Sequence, residues 1–219
     1  MPVSHEHKII FVHIPRTAGE SIENCLGMYG GDPIQFFWGA VDNLDVLQHN
    51  TARELKLKIH NDALWDEYTK FSVVRNPFSK TVSEYHWYLR YGPHCSFEDW
   101  VISLENRIAI NRNINIAEIG HNMPQNSFLL DEHKQLMMDK IIKFENLEEE
   151  FTDFLLAQDI VAVLPPASTT KSQMLLEDFR DYYDENTAEI VEKIYREDLS
   201  AFSYDKAGTF GWDRRTRAN

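Results

Sequence analysis

The chain has 219 residues, of which 43% are hydrophobic, and its 22 Lys and Arg against 35 Asp and Glu give a net charge of −13. That length and apolar content suffice for a full core and predict one domain over residues 1–219. The acidic balance disfavours broad attraction to nucleic acid or an anionic membrane, so an anionic ligand must meet a local cationic pocket. Two cysteines, Cys25 and Cys95, are too few for a disulfide framework or a metal cluster. No apolar run is long enough to span a membrane and residues 1–8 are polar, so a cytoplasmic location is expected.

In chain order, an apolar β-rich run at residues 8–14 leads into a turn of small residues with one cation, Arg16-Thr17-Ala18-Gly19, and then into a helical pattern opening at Ser21. Backbone N–H groups at such a turn lack intrahelical partners and suit a phosphate or sulfate group. An ordinary strand-to-helix connection, with Gly19 permitting a tight turn, fits the same residues. Residues 27–39 are glycine- and aromatic-rich. They form either a wall of an acceptor cleft or a loop over packed Phe36, Phe37 and Trp38.

A second strand is predicted at 70–75, followed by Asn76 as helix cap, Pro77 at the first helical position, and Val82, Tyr85 and Leu89 as a buried face. Arg75 stands where the strand ends, at the rim where open α/β sheets bind ligands. Ser83, two turns on, is placed to share an anionic group with the Arg75 fork, although Arg75 paired with a carboxylate and Ser83 facing solvent is an equally structural reading. Residues 92–128 resist assignment and include an Asn-rich stretch at 106–126. A third strand is predicted at 140–144, and Pro165-Pro166 closes the helical region after it. Residues 167–173 read as a loop, and the final helix is predicted to start with an Asn186/Glu189 capping box and to bury Ile190, Val191, Ile194 and Tyr195. Alternating strands and helices predict an α/β fold with a central parallel sheet flanked by helices. The basic run Arg214-Arg215-Thr216-Arg217 reads as a solvated terminus.

Together the two turns resemble the nucleotide-binding signatures of the sulfotransferase family, in particular its carbohydrate branch. The family's first loop reads approximately F-x-H-I-P-K-T-A-G-T-S, and here it is Phe11-Val12-His13-Ile14-Pro15-Arg16-Thr17-Ala18-Gly19-Glu20-Ser21. The second, R-N-P-[FYW]-x-R-x-x-S-x-Y, is here Arg75-Asn76-Pro77-Phe78-Ser79-Lys80-Thr81-Val82-Ser83-Glu84-Tyr85. Stretches around His49, Trp65, Lys143, Tyr182 and Ile194 continue the resemblance in order.

The resemblance implies a single P-loop-like domain using 3′-phosphoadenosine 5′-phosphosulfate (PAPS) as co-substrate, without a metal, and a hydroxyl-bearing acceptor, glycan or small molecule. Arg16, Thr17, Ala18, Gly19, Glu20 and Ser21 are implied to hold the 5′-phosphosulfate, and Arg75 with Ser83 the 3′-phosphate. Lys171 is implied to close over the nucleotide, and Lys80, in place of the second family Arg, to cover the adenosine phosphate as a further cation of the pocket or to cover a nearby helix. His49 is implied as general base, its unperturbed pKa near 6.5 suiting proton removal at neutral pH, and Arg16 as the group that stabilises the leaving phosphate. His13 reads as a strut for the anion loop, and Glu145 and His86 as weaker base candidates. The family's animal members are membrane-anchored Golgi proteins, whereas this chain reads as a soluble member of bacterial or viral type in preference to an excised catalytic domain. The acidic balance points to a neutral or lightly charged acceptor.

Arg16 replaces the family's usual Lys, keeping the charge but losing an easily donated proton. Glu20 replaces a small hydroxyl residue, a change that weakens dianion binding unless its side chain turns away or is paired. A P-loop phosphotransferase and a catalytically impaired nucleotide-binding protein are the alternatives. The first lacks support from any G-x-x-x-x-G-K-[ST] motif or acidic Mg²⁺ site, and the second draws on Arg16 and Glu20.

Overall fold

The structure, a computed structural model, describes residues 3–28, 49–90, 92–111, 120–164 and 178–210. Lys171, most of the 27–39 loop, the 167–173 segment and the basic tail lie outside the described residues. Four strands, β1 (Val3–Ser4), β2 (Ile9–Val12), β3 (Thr69–Val74) and β4 (Lys140–Lys143), form one sheet in the order β1-β2-β3-β4. The β2–β3 and β3–β4 pairs are parallel, while β1 adds antiparallel to the edge. The three predicted strands are the three parallel ones, β2 and β4 slightly shorter than predicted and β3 shifted by one residue. β1 carries only two residues, too few for a sequence pattern.

Period-two alternation sends β2 and β3 side chains into two separate cores. Ile9, Phe11, Phe71, Val73 and Ile142 pack with Ile22 and Leu26 of α1 (Gly19–Cys25) and with Phe151, Phe154 and Leu155 of α8 (Leu147–Ala157). On the opposite face Ile10, Val12 and Val74 meet Ala52 and Leu55 of α2 (Ala52–Ile59), Trp65 of α3 (Asp62–Glu67), and Phe128 and Leu129 of α7 (Asn126–Leu129). A third cluster joins α4 (Pro77–Tyr88), α5 (Phe97–Ile102) and Leu104 of α6 (Leu104–Asn111) to α9 (Glu185–Ile194) and α10 (Arg196–Ala201). A last helix, α11 (Lys206–Phe210), adds Phe210 to the same cluster.

Asn76 caps α4 by accepting from the Phe78 N–H, and Pro77 occupies the first turn. Val82 and Tyr85 are buried, with Leu89 packed beside them. Two predicted boundaries are corrected. Helix α1 begins at Gly19 rather than Ser21, because Ala18 takes the left-handed cap position and its carbonyl already accepts from the Ser21 and Ile22 N–H groups. Helix α9 is capped by Asp184 with Thr187, not by Asn186 with Glu189: the Asp184 side chain accepts from the Thr187 N–H and the Thr187 side chain receives the Asp184 N–H. The expected stripe survives, with Val191 and Tyr195 buried and Ile190 and Ile194 packed against them.

Candidate active site

The register Val12↔Ser72 sets the C-terminal ends of β2 and β3 side by side, so the two cationic turns share one rim. In the first turn Arg16 and Ala18 both take left-handed backbone conformations, at φ 65° and 68°. Each costs a non-glycine residue about 1–2 kcal/mol, so the surrounding contacts must hold the turn in place. Buried Thr17 supplies one such contact, its hydroxyl donating to the Ile14 carbonyl at 2.8 Å. His13 supplies another. Its buried ring is stacked on Phe11 and bonded through Nδ1 to Glu23 Oε1 of α1 at 2.9 Å, and Gly19 lies so close that a Cβ there would stand 1.9 Å from Nε2. Strand end, turn and first helix are therefore locked around one imidazole. Ser21 is half-buried, whereas Glu20 is exposed.

In the second turn, Gln125 clamps the Arg75 backbone: its Oε1 accepts from the Arg75 N–H and its Nε2 donates to the Arg75 carbonyl, both at 2.8 Å. Asp198, fully buried, accepts in turn from the Gln125 and Asn126 N–H groups. Burial lifts its carboxyl to about 6 against the opposing pull of those two N–H bonds. The Arg75 guanidinium lies over the Phe144 ring, donates from Nε to Ser79 Oγ at 2.8 Å, and donates from Nη1 to the Arg16 carbonyl at 3.2 Å. Arg16 Nε donates to Ser83 Oγ at 3.1 Å. Ser83 thus stands with Arg16 rather than with Arg75, because α4 turns that face toward the first loop.

Burial, and then the neighbouring Arg16, pull Arg75 down to about 10, which still leaves it charged at neutral pH. Among the described residues neither guanidinium is ion-paired with a carboxylate. A desolvated Arg75 beside a half-buried Arg16 suits an anion, since buried charge is otherwise paired.

Lys80 does not join them. It is buried, donating from Nζ to Glu84 Oε1 at 3.0 Å and to the His121 carbonyl at 2.7 Å, so of its two expected places, the adenosine phosphate or a nearby helix, it takes the second. The i,i+4 spacing of Lys80 and Glu84 on α4 carries the pair inward, where the carbonyl of a distant loop completes it.

His49, just before α2, lies between two other imidazoles. Its ring meets His13 at 4.9 Å and His121 at 5.0 Å, nearly perpendicular to both. Burial first, and then His13, His121, Lys80 and Arg16, hold His49 well below the ordinary imidazole range, so it is neutral at pH 7. His121 is stacked on Trp87 and bonded through Nδ1 to Glu84 Oε2 at 2.8 Å. Burial alone would raise Glu84, but Lys80 and His121 outweigh it and bring the carboxyl to about 2. These rings meet edge to face rather than converging, and among the described residues no three His, Cys, Asp or Glu side chains are grouped to hold a metal ion.

The weaker base candidates are engaged elsewhere. His86 Nε2 bonds the Tyr182 hydroxyl at 2.8 Å, and Glu145 accepts from the Asn76 N–H at 2.8 Å and from the Tyr204 hydroxyl at 2.6 Å. Sequence reasoning missed His121, Glu84, Gln125 and Asp198. Only the Lys80/Glu84 spacing offered a local signal.

A mostly parallel α/β sheet whose neighbouring strand ends carry two cationic turns defines a P-loop-like architecture. A model of the sulfotransferase family matches residues 1–205, and the chain belongs to that family. It is therefore a transferase, and sulfuryl transfer is its class of reaction. No curated protein and no solved structure matches it. Among the described residues no helix is long and apolar enough to cross a membrane.

Proposed function

We propose that this protein transfers the sulfuryl group of PAPS to an acceptor hydroxyl, on a neutral or lightly charged carbohydrate. The observation that supports this most is the adjacency of Arg16 and Arg75, a half-buried and a desolvated guanidinium with no carboxylate ion pair among the described residues, which suits a small ligand with two anionic ends. In this reading Arg16, Thr17, Ala18, Gly19, Glu20 and Ser21 hold the 5′-phosphosulfate, the contribution of Glu20 being its backbone. Arg75 grips the 3′-phosphate, and Ser83 orients Arg16. Lys171 joins them on the strength of the resemblance alone.

His49, neutral and beside the first loop, takes the acceptor's proton. The acceptor oxygen bonds to sulfur as the sulfur–phosphate oxygen bond breaks, and the electron pair stays on the leaving nucleotide. Arg16 stabilises that charge without giving up a proton. The test is a mass-spectrometric screen for sulfated products over a panel of glycans and alcohols, with His49→Ala and Arg16→Ala as controls. Product that vanishes in both controls supports the reading. Product formation indifferent to either control removes that residue's role, and nucleotide binding without any product favours a catalytically impaired binding protein.

A further inference from the structure

The imidazole file extends well beyond the base. Two buried carboxylates end it: Glu23 holds His13 on one side, and Glu84, neutralised by Lys80, holds His121 on the other. His49 is the middle ring, touched edge to face from both directions, and neither neighbour has freedom to move. His13 is fixed by its bond to Glu23, its stack on Phe11 and the backbone of Gly19. His121 is fixed by its bond to Glu84, its stack on Trp87 at 4.1 Å and the Lys80 bond to its own carbonyl.

The geometry assigns His13 and His121 as positioning residues for His49: two carboxylate-anchored imidazoles each meet its ring edge to face and fix its direction. This rests on the reading of His49 as the base. The groups that face His49 are His13 at the end of β2, Arg16 in the first turn, Lys80 on α4 and His121 in the loop before α7, and each disfavours a second positive charge at the centre. Glu23 and Glu84 are held by the outer rings. The arrangement also couples the site's two halves. Helix α4 presents Ser83 to Arg16 and, one residue on, Glu84 to His121, so the setting of the cation and the setting of the base share one helix.

The experiment follows the His49 ring by NMR in histidine-labelled full-length protein across pH, alongside the pH dependence of kcat. Two variants are used: His121→Ala, which removes one grip, and the paired Lys80→Met with Glu84→Gln, which replaces the ion pair by side chains of similar volume and guards against misfolding. In wild type the His49 midpoint is expected below about 6.5. In both variants it is expected to rise by about one pH unit, a ten-fold change in proton affinity, with the acid limb of kcat rising in step. Loss of ring direction is expected to lower kcat at pH 7 by about ten-fold to a hundred-fold while KM for the nucleotide holds. A midpoint that stays put, an acid limb that does not follow the midpoint, or a loss confined to KM overturns the assignment. A wild-type protein that transfers no sulfuryl group overturns the proposed function instead, and the His49 midpoint still judges the grip.

Discussion

Replacing Gly19 by Ala pits two opposed effects against each other at one atom. Gly19 opens α1, where Ala is favoured over Gly by about 1 kcal/mol, so helix propensity alone predicts a more stable protein. The added Cβ, however, would stand 1.9, 2.0 and 2.3 Å from Nε2, Cδ2 and Cε1 of His13, where real contacts begin near 3.0 Å. The imidazole must therefore recede by roughly an ångström. It is held by Glu23 at 2.9 Å, by the Phe11 stack and by the His49 edge at 4.9 Å, so yielding means breaking a buried pair. Leaving a buried hydrogen-bonding group unsatisfied costs about 1–3 kcal/mol, so after the helical gain the net loss reaches about 2 kcal/mol.

Urea unfolding followed by circular dichroism measures this directly. Gly27→Ala is the comparison: its φ is +60° and nothing lies within 4 Å of the added atom, so only the left-handed backbone is penalised, at about 1–2 kcal/mol. Because the clash needs the ring, Gly19→Ala combined with His13→Ala should destabilise by less than the sum of the two single changes. A Gly19→Ala protein as stable as wild type, or strictly additive effects in the pair, would refute the reasoning.

His49→Ala is expected to lower turnover by about 10²–10⁴-fold, the usual contribution of a positioned base, with nucleotide affinity preserved; initial rates and equilibrium binding measured on one preparation check it. Asp198 makes a pH prediction. Its carboxyl is raised from 3.8 to about 6 by burial, so the fold prefers the neutral acid: that stability is fully present below pH 3.8 and is lost as pH rises through 6. Ionised, it costs about 3 kcal/mol, which Asn cannot incur. The unfolding free energy of wild type minus that of Asp198→Asn should thus fall by about 2.4 kcal/mol between pH 4 and pH 7, and a difference independent of pH would contradict it.

The parts of this fold that depend on neighbours in sequence were legible there. Apolar runs at Ile9–Val12 and Thr69–Val74, and Asn76-Pro77 as cap and first turn, state their structure locally. The first turn was legible as a motif, although not the left-handed Arg16 and Ala18 that shape it. What escaped was set by long-range contacts. Lys80 reads as a surface helix cation until the His121 carbonyl, 41 residues on, gives it a buried partner. The Gln125 clamp on Arg75 spans 50 residues, and Asp198 reaches Gln125 from 73 residues away. His49 was identified as a candidate base through resemblance. The carboxylate-anchored rings on either side of it leave no periodic trace, because each comes from a different element.

The most direct test of the account is calorimetric titration of adenosine 3′,5′-bisphosphate into the protein with no divalent cation present, repeated for Arg16→Ala and Arg75→Ala. Each guanidinium should contribute a charge-assisted contact of about 1.5–3 kcal/mol, so metal-free binding in wild type is expected to weaken by about ten-fold to a hundred-fold in each variant. Binding that needs Mg²⁺ and prefers ATP, or affinity unchanged when Arg75 is lost, would contradict it.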